Sequence, residues 1–166
     1  MWVKNYMFKD VLTASPDTTV EDAVKKMQDN KSNSLIVVDE DNKPIGTLSS
    51  YTLIKEVVPE YLKEPNFSQF GAEGTFERYA CKVREKKIKE VMHKKFHILS
   101  KEDAIIEAAA YSVEAARRIL PVVDKDGKLI GAMTSTCIKN ALYNAFNKEC
   151  QVDSENGGCG CGHKHN

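Results

Sequence analysis

Short apolar runs alternate with amphipathic stretches along the chain, and their order is the same in its two halves. The runs at 35–38 and 120–123 have the length of a buried strand, and each is followed by a turn dipeptide and a second apolar run. The dipeptides, Asp-Asn at 41–42 and Asp-Gly at 126–127, are typical of two-residue hairpin loops. The pattern predicts one antiparallel hairpin in each half, with return strands at 45–48 and 130–133.

A helical period precedes each hairpin. Apolar residues recur three and four positions apart from Val20 and again from Ile105, which predicts two helices of about 12 residues. Thr18 and Glu21 have the spacing of a capping box, and Asp103 can cap the second helix. A short strand before each helix and a final helix after each hairpin give the order β-α-β-β-α. The short strands are expected at 11–14 and 96–99, and the final helices are expected to begin at about Ser50 and Ser135.

The two halves are copies of one unit. At a shift of 85 residues, 3–55 aligns with 88–140 without a gap, and 14 of the 53 pairs are identical. Chance similarity does not normally hold one register over such a stretch, so the chain is a tandem duplication. Each unit is marginal alone and stable when two share a core. We predict domains at 1–55 and 88–147, a helical linker at 56–87 and a tail at 148–166.

Charge and composition narrow the function classes. The 24 basic and 24 acidic residues balance, which argues against a nucleic-acid partner. No apolar run approaches the roughly 20 residues that cross a bilayer, and the first ten residues do not have the form of a signal peptide. Five cysteines without framework spacing indicate reduced thiols. We therefore expect a cytoplasmic protein without a membrane partner, and the absence of common catalytic motifs predicts no enzyme.

The repeated motifs resemble those of the CBS domain family. In the first unit they are Ser-Pro-Asp-Thr-Thr-Val from Ser15, Leu-Ile-Val-Val-Asp from Leu35 and Gly-Thr-Leu-Ser from Gly46. The second unit has Ile-Leu-Pro-Val-Val-Asp from Ile119 and Gly-Ala-Met-Thr from Gly131. The resemblance covers about two-thirds of the chain and implies a mixed α/β fold of two tandem CBS repeats with pseudo-two-fold symmetry.

The resemblance also implies a regulatory role. Similar paired modules bind AMP, ADP, ATP or S-adenosylmethionine between their domains and commonly form homodimers. The family's nucleotide binders usually carry an Asp three residues after the Ser or Thr of the Gly-x-x-Ser/Thr element, where it binds the ribose hydroxyls. Ser49 and Thr134 keep the hydroxyl here, whereas Thr52 and Cys137 replace the Asp. A weak adenosine site is therefore expected.

The second repeat is expected to hold the one occupied site. Pro121 would flank the adenine, Thr134 would bind the ribose, and Arg117 or Arg118 would bind a phosphate. The Arg pair is equally explained by the preference for cations at a helix C-terminus. The candidate ligand-binding residues are Ile98, Ser100, Arg117, Arg118, Pro121, Thr134 and Cys137, with Ser49 and Thr52 in the first repeat. For His97 and Cys137, structural roles are the alternative.

Two segments lie outside the repeats. The linker contains Phe76 and Tyr79 at helical spacing, which predicts a helix of about 11 residues from Thr75. Its aromatic residues either pack the linker onto the domains or form a dimer or partner surface. The Gly-rich tail carries Cys159, Cys161, His163 and His165, whose thiolate and imidazole groups suit Zn, Ni or Cu. Metal binding and a simple solubility tail remain the two interpretations.

The leading hypothesis is a ligand-sensing homodimer that acts on a separate enzyme or transporter. The alternatives are a metal-handling protein that uses its tail and a structural dimeric adaptor with degenerate ligand sites.

Overall fold

The computed structural model describes residues 1–58, 74–114 and 119–147, apart from the side chain of Thr75. A short 3₁₀ helix, Val3–Asn5, precedes the first strand. The other elements are, in order, β1 (Thr13–Ala14), α1 (Val20–Asp29), β2 (Ser34–Val38), β3 (Pro44–Ser49), α2 (Ser50–Val57), α3 (Thr75–Val83), α4 (Ile88–Val91), β4 (Leu99–Ser100), α5 (Ile105–Val113), β5 (Leu120–Val123), β6 (Leu129–Met133) and α6 (Ser135–Phe146).

The strands form two three-stranded sheets of identical topology, β1-β2-β3 and β4-β5-β6. In each sheet the first strand pairs parallel with the second, and the second and third form an antiparallel hairpin. Asn42 and Gly127 take the left-handed conformation that the hairpin loops require, with φ of 61° and 79°. The predicted fold class, two tandem β-α-β-β-α repeats with a helix between them, is confirmed.

The helix starts differ from the sequence prediction. Thr19, not Thr18, is the N-cap of α1; its hydroxyl accepts a hydrogen bond from the Asp22 backbone N–H at 3.1 Å. The capping box was therefore predicted one residue too early, because consecutive threonines offer two registers. Ala104 is the N-cap of α5, and the Asp103 carboxylate instead accepts from the Ser100 backbone N–H at 2.7 Å.

Several element lengths and one apolar position also differ. Helix α1 has 10 residues rather than 12, α3 has 9 rather than 11, and the first strand of each repeat has only two. Val24 lies on the predicted apolar face of α1 yet is exposed.

Each repeat completes the other's core through the segment that precedes it. We call residues 3–8 the first flanking segment and residues 88–93 the second. Val3, although it leads into the first repeat, is fully buried in the core of the second. Its alignment partner Ile88 is fully buried in the core of the first. The exchange is reciprocal, and the two repeats therefore form one packing unit.

Backbone and ionic contacts fix this exchange. Phe8 and Ala132 form a reciprocal pair of backbone hydrogen bonds at 3.1 and 2.9 Å, and Thr47 and His93 form the equivalent pair. Lys4 bonds to Glu102 at 2.8 Å and Lys89 bonds to Asp17 at 2.6 Å. The two ion pairs also occupy aligned positions. The neighbouring ammonium groups hold the pKa values of the Asp17 and Glu102 carboxyls below their ordinary values.

Ile36, Ile119 and Ala132 form a further buried cluster between the sheets. Within the described ranges, no helix combines the length and apolar character needed to span a membrane. Cys81 is an exposed free thiol and Cys137 a buried one.

Candidate ligand cleft

A cleft of about 790 Å³ opens between the two repeats. One wall comes from the first repeat, where residues 10–12 lead into β1 and residues 30–34 join α1 to β2. The other wall comes from the second repeat and consists of Ile119 and the start of α6. We call this space the inter-repeat cleft. Its lining residues are Phe8, Asp10, Val11, Leu12, Asn30, Lys31, Ser32, Asn33, Ser34, Ile119, Thr134, Ser135 and Thr136.

Local hydrogen bonds hold the first-repeat wall in place. The Leu12 carbonyl accepts from the Ile36 backbone N–H at 2.9 Å, which ties the residues before β1 to β2. After α1, Lys31 takes a left-handed conformation with φ of 50°, and the Ser32 hydroxyl donates to the Ser34 carbonyl at 2.7 Å. This turn brings the Lys31 and Asn33 residues to the cleft. The wall thus combines apolar surface with one basic residue, Lys31, one acidic residue, Asp10, and several polar groups.

The second-repeat wall presents the N-terminus of α6. Thr134 is its N-cap residue and makes no side-chain capping hydrogen bond, in contrast to Ser49 of α2, whose hydroxyl accepts from the Thr52 N–H at 3.2 Å. The Thr134 hydroxyl lies 3.6 Å from the Cys137 sulphur. Because such a sulphur contact is weak, the Thr134 hydroxyl can bond to a ligand, and the partial positive charge of the helix N-terminus favours anionic groups.

The structure separates the residues predicted to form one site. Thr134 lines the cleft, but Ile98, Ser100 and Pro121 are not among its lining residues. Pro121 is fully buried in β5, and its predicted contact with the adenine stays a prediction. Ile98 is exposed, and Ser100 lies in β4, where its hydroxyl accepts from the Glu102 N–H at 3.3 Å. The cleft takes one wall from each repeat, so a site built from these second-repeat residues would lie outside it and stays a prediction.

Sequence reasoning missed the first-repeat wall, although the internal alignment contains the signal. At the shift of 85 residues, the wall residues 10–12 align with 95–97, not with Ile98 or Ser100. Arg117 and Arg118 align with the cleft residues Ser32 and Asn33, but they lie outside the described residues. Their predicted role in phosphate binding stays a prediction.

Thr52 and Cys137, which replace the Asp of the family's nucleotide binders, each lie beside the hydroxyl of an N-cap residue. Cys137 is 8% exposed and belongs to the core of the second repeat. Thr52 is half-buried, and its hydroxyl lies 3.1 Å from that of Ser49. His97 has partners of its own: its ring stacks on Tyr111 with centroids 4.0 Å apart, and Nε2 lies 2.9 Å from the Glu114 carboxylate.

The tail residues Cys159, Cys161, His163 and His165 lie outside the described residues, so the predicted metal site there stays a prediction. Within the parts of the chain that are described, no cluster of three or more His, Cys, Asp or Glu side chains could hold a metal ion.

Comparison with known proteins agrees with this architecture. The chloroplastic CBS domain-containing protein CBSX1 of Arabidopsis thaliana is 28% identical over 138 residues, which are 76% of this chain and 56% of that protein. The chain therefore spans about half the length of this relative.

Solved structures share the fold. The crystal structure of the CBS-pair protein CBSX2 of Arabidopsis thaliana has a TM-score of 0.72 at 24% identity and covers 89% of this chain and 97% of that one. CBSX2 has also been solved in complex with AMP, with a TM-score of 0.66 at 24% identity and coverages of 87% and 98%. The CBS domain pair of MJ0100, in complex with 5′-methylthioadenosine and S-adenosyl-L-methionine, has a TM-score of 0.65 at 21% identity and coverages of 86% and 99%.

The CBS domain model matches residues 3–59 and 88–144, and these ranges contain both three-stranded sheets and both walls of the inter-repeat cleft. The chain belongs to the CBS domain family and carries two CBS domains in tandem.

Proposed function

We propose that this chain is a regulatory module without catalytic activity, which binds an adenosine-containing compound in the inter-repeat cleft and acts on a separate enzyme or transporter. The observation that carries the proposal is the Thr134 hydroxyl at the N-terminus of α6, which lies in the cleft without a capping bond. AMP, ADP, ATP and S-adenosylmethionine are the candidate ligands.

The cleft has the size and lining for such a compound. Its volume of about 790 Å³ lies within the range of small-molecule pockets. Phe8, Val11 and Ile119 supply apolar surface for a purine, while Asn33 and Thr134 supply polar groups for the sugar. Lys31 is the basic residue of the described lining and would attract a phosphate or carboxylate. The AMP and S-adenosyl-L-methionine complexes of the similar folds support this ligand class.

Affinity should be weak because no carboxylate stands beside Thr134. Cys137 occupies that position, three residues into α6, and its thiol is a poor acceptor for two ribose hydroxyls. A missing hydrogen bond to a charged group costs about 1.5–3 kcal/mol, or roughly 10- to 150-fold in dissociation constant. Restoring the carboxylate should recover part of this affinity.

Calorimetry of AMP, ATP and S-adenosylmethionine on matched variants tests the proposal. Cys137→Asp should tighten binding at least about tenfold, because Cys137 lies behind the cleft wall with its sulphur 3.6 Å from the Thr134 hydroxyl, and Thr134 lines the cleft. Thr52→Asp makes the same kind of change at the aligned position of the first repeat and should not tighten binding in this cleft. Lys31→Ala should weaken AMP binding more than adenosine binding.

The outcomes are distinct. Tightening by Thr52→Asp alone would assign the ligand to the N-terminus of α2 and would refute the cleft assignment. If neither variant tightens binding and no adenosine compound binds below millimolar concentration, the module is not an adenosine sensor. The structural adaptor would then be the better explanation. Arg117→Ala and Arg118→Ala test the predicted phosphate contact separately.

A further inference from the structure

Two residues of opposite charge, Asp10 and Lys31, line the inter-repeat cleft. Both belong to the first-repeat wall and both are exposed, and the rest of the described lining is uncharged. Within residues 1–58, 74–114 and 119–147, neither side chain forms an ion pair or a hydrogen bond. This part of the structure therefore leaves one carboxylate and one ammonium group of the cleft wall available to a ligand.

The backbone around Asp10 is anchored. Two residues before it, Phe8 pairs with Ala132 through backbone hydrogen bonds of 3.1 and 2.9 Å. The Val11 N–H donates to the Lys9 carbonyl at 2.9 Å, which closes a tight three-residue turn centred on Asp10. The cleft therefore presents this carboxylate from an ordered backbone, and a ligand does not have to order the segment when it binds.

Lys31 occupies a position that ordinarily favours glycine. It follows Asn30, the C-cap of α1, and has the left-handed φ of 50°. The Lys31 N–H donates to the Gln28 carbonyl at 3.1 Å. The Ser32 N–H donates to the Met27 carbonyl at 2.9 Å, which completes a common helix ending. Because glycine adopts this conformation without the steric penalty of a β-carbon, a lysine here points to a role for its side chain.

The aligned positions of the second repeat carry different charges. At the shift of 85 residues, Asp10 corresponds to Lys95 and Lys31 corresponds to Ala116. Lys95 is exposed, as Asp10 is. The combination of a carboxylate and an ammonium group is therefore particular to the first repeat and is not a general feature of the duplicated unit.

We infer that Asp10 and Lys31 make the inter-repeat cleft select an adenosine compound with an amino acid group at its 5′ end over adenosine phosphates. The inference rests on the proposed function, which assigns adenosine compounds to this cleft. The ammonium group of such a ligand would bind the Asp10 carboxylate, and its carboxylate would bind the Lys31 ammonium group. A phosphate would be attracted by Lys31 but repelled by Asp10. S-adenosylmethionine belongs to the favoured class, and AMP and ATP belong to the disfavoured one.

Calorimetry of the full chain with two pairs of compounds isolates the two substituents. S-adenosylhomocysteine carries an amino acid group where 5′-methylthioadenosine ends in a methyl group, and AMP carries a phosphate that adenosine lacks. The amino acid group should improve affinity by a larger factor than the phosphate does. An equal or larger factor for the phosphate would overturn the inference and leave the proposed function intact. If none of the four compounds binds below millimolar concentration, the proposed function fails and the inference fails with it.

Asp10→Asn removes the negative charge with little change in shape. It should weaken binding of S-adenosylhomocysteine roughly three- to fivefold, the scale of an exposed ion pair, and should tighten binding of AMP. Glu40→Gln is the matched control, because Glu40 is exposed in the loop between β2 and β3 and does not line the cleft. Equal effects of the two variants would reflect net charge alone and would overturn the inference. Asp10→Lys introduces the residue of the aligned position and should reverse the preference.

Lys31→Gly separates ligand binding from folding. Because glycine takes the left-handed conformation without steric penalty, the urea midpoint of this variant should be no lower than that of the unmodified chain. S-adenosylhomocysteine and AMP should both bind more weakly, since Lys31 serves a carboxylate and a phosphate alike. Unchanged binding of both compounds would show that Lys31 does not contact the ligand and would overturn the inference.

Discussion

Gly131 lies directly against the backbone of Phe8: a Cβ added to Gly131 would stand 2.8 Å from the Phe8 carbonyl oxygen. That oxygen also accepts a hydrogen bond from the Ala132 N–H at 2.9 Å. At the aligned glycine, Gly46, the nearest atoms belong to the Met92 side chain, and the His93 carbonyl oxygen is farther away, 3.3 Å from an added Cβ. The two glycines therefore let the flanking segments approach the opposite hairpins.

Gly131→Ala should destabilise the protein by about 1–3 kcal/mol, because the added methyl group meets a backbone atom that is fixed by hydrogen bonds. Gly46→Ala should cost less, since the nearest atoms belong to the unbranched Met92 side chain, which can change rotamer. Urea unfolding monitored by circular dichroism measures both. Equal losses, or a larger loss for Gly46→Ala, would contradict this account.

Stability should fall as the pH is lowered through the acid range. Lys89 and Lys4 depress the pKa values of Asp17 and Glu102, so the folded protein binds these protons less readily than the unfolded chain. Their contribution is present above the ordinary carboxyl pKa values of about 4 and is lost as the pH falls through the lower folded values. Asp17 also raises the pKa of Lys89, so that pair weakens again above about pH 10.

Urea midpoints between pH 2 and 6 measure this effect. The double variant Lys4→Gln, Lys89→Gln should lose less stability on acidification than the unmodified chain. Both ion pairs are exposed, so the difference should shrink at high salt. Identical pH profiles at low salt would show that the two pairs do not stabilise the fold.

A fragment of residues 9–93 should fold more cooperatively than a fragment of residues 1–87. Fragment 9–93 contains the first repeat together with Ile88 and Val91, which complete its core. Fragment 1–87 lacks these two residues and instead carries Val3, which packs in the core of the second repeat. Amide hydrogen exchange of the two fragments measures the difference. Stronger protection in residues 1–87 would refute the reciprocal exchange of flanking segments.

The tail should bind about one soft metal ion per chain through Cys159, Cys161, His163 and His165. Affinity for Zn should fall below about pH 6, where protons compete for imidazole and thiolate. Truncation after Cys150 should abolish this binding while thermal unfolding of the domains stays the same. Unchanged metal stoichiometry after truncation would exclude the tail as the site.

The duplication made the fold predictable, because each hairpin, helix and turn appears twice. An element predicted in one repeat could therefore be compared with the aligned pattern in the other. Strand pairs such as Leu35 and Leu48 follow directly from the alternation of runs and turns. Small errors arose where neighbouring residues offered equivalent caps, as with Thr18 and Thr19.

The site was harder to predict, because periodicity describes one repeat at a time. The inter-repeat cleft joins Asn33 to Thr134, which are about a hundred residues apart in sequence, and nothing local indicates this contact. Likewise, Pro121 matched a family motif but is buried in β5. The exchange of Val3 and Ile88 could not be predicted either, since an apolar residue fits the core of either repeat.

That exchange also constrains the order of events during synthesis. Leu35 and Leu48 leave the ribosome well before Ile88 and Val91, with which they pack. Val3 must stay exposed even longer, until Leu120 and Met133 of its own core have been made. A nascent chain that ends before residue 88 therefore presents apolar surface from both repeats and is open to chaperones. Although the protein is built as two copies, the first core can close only after residue 91 has emerged, and the second only after Ala141 has been made.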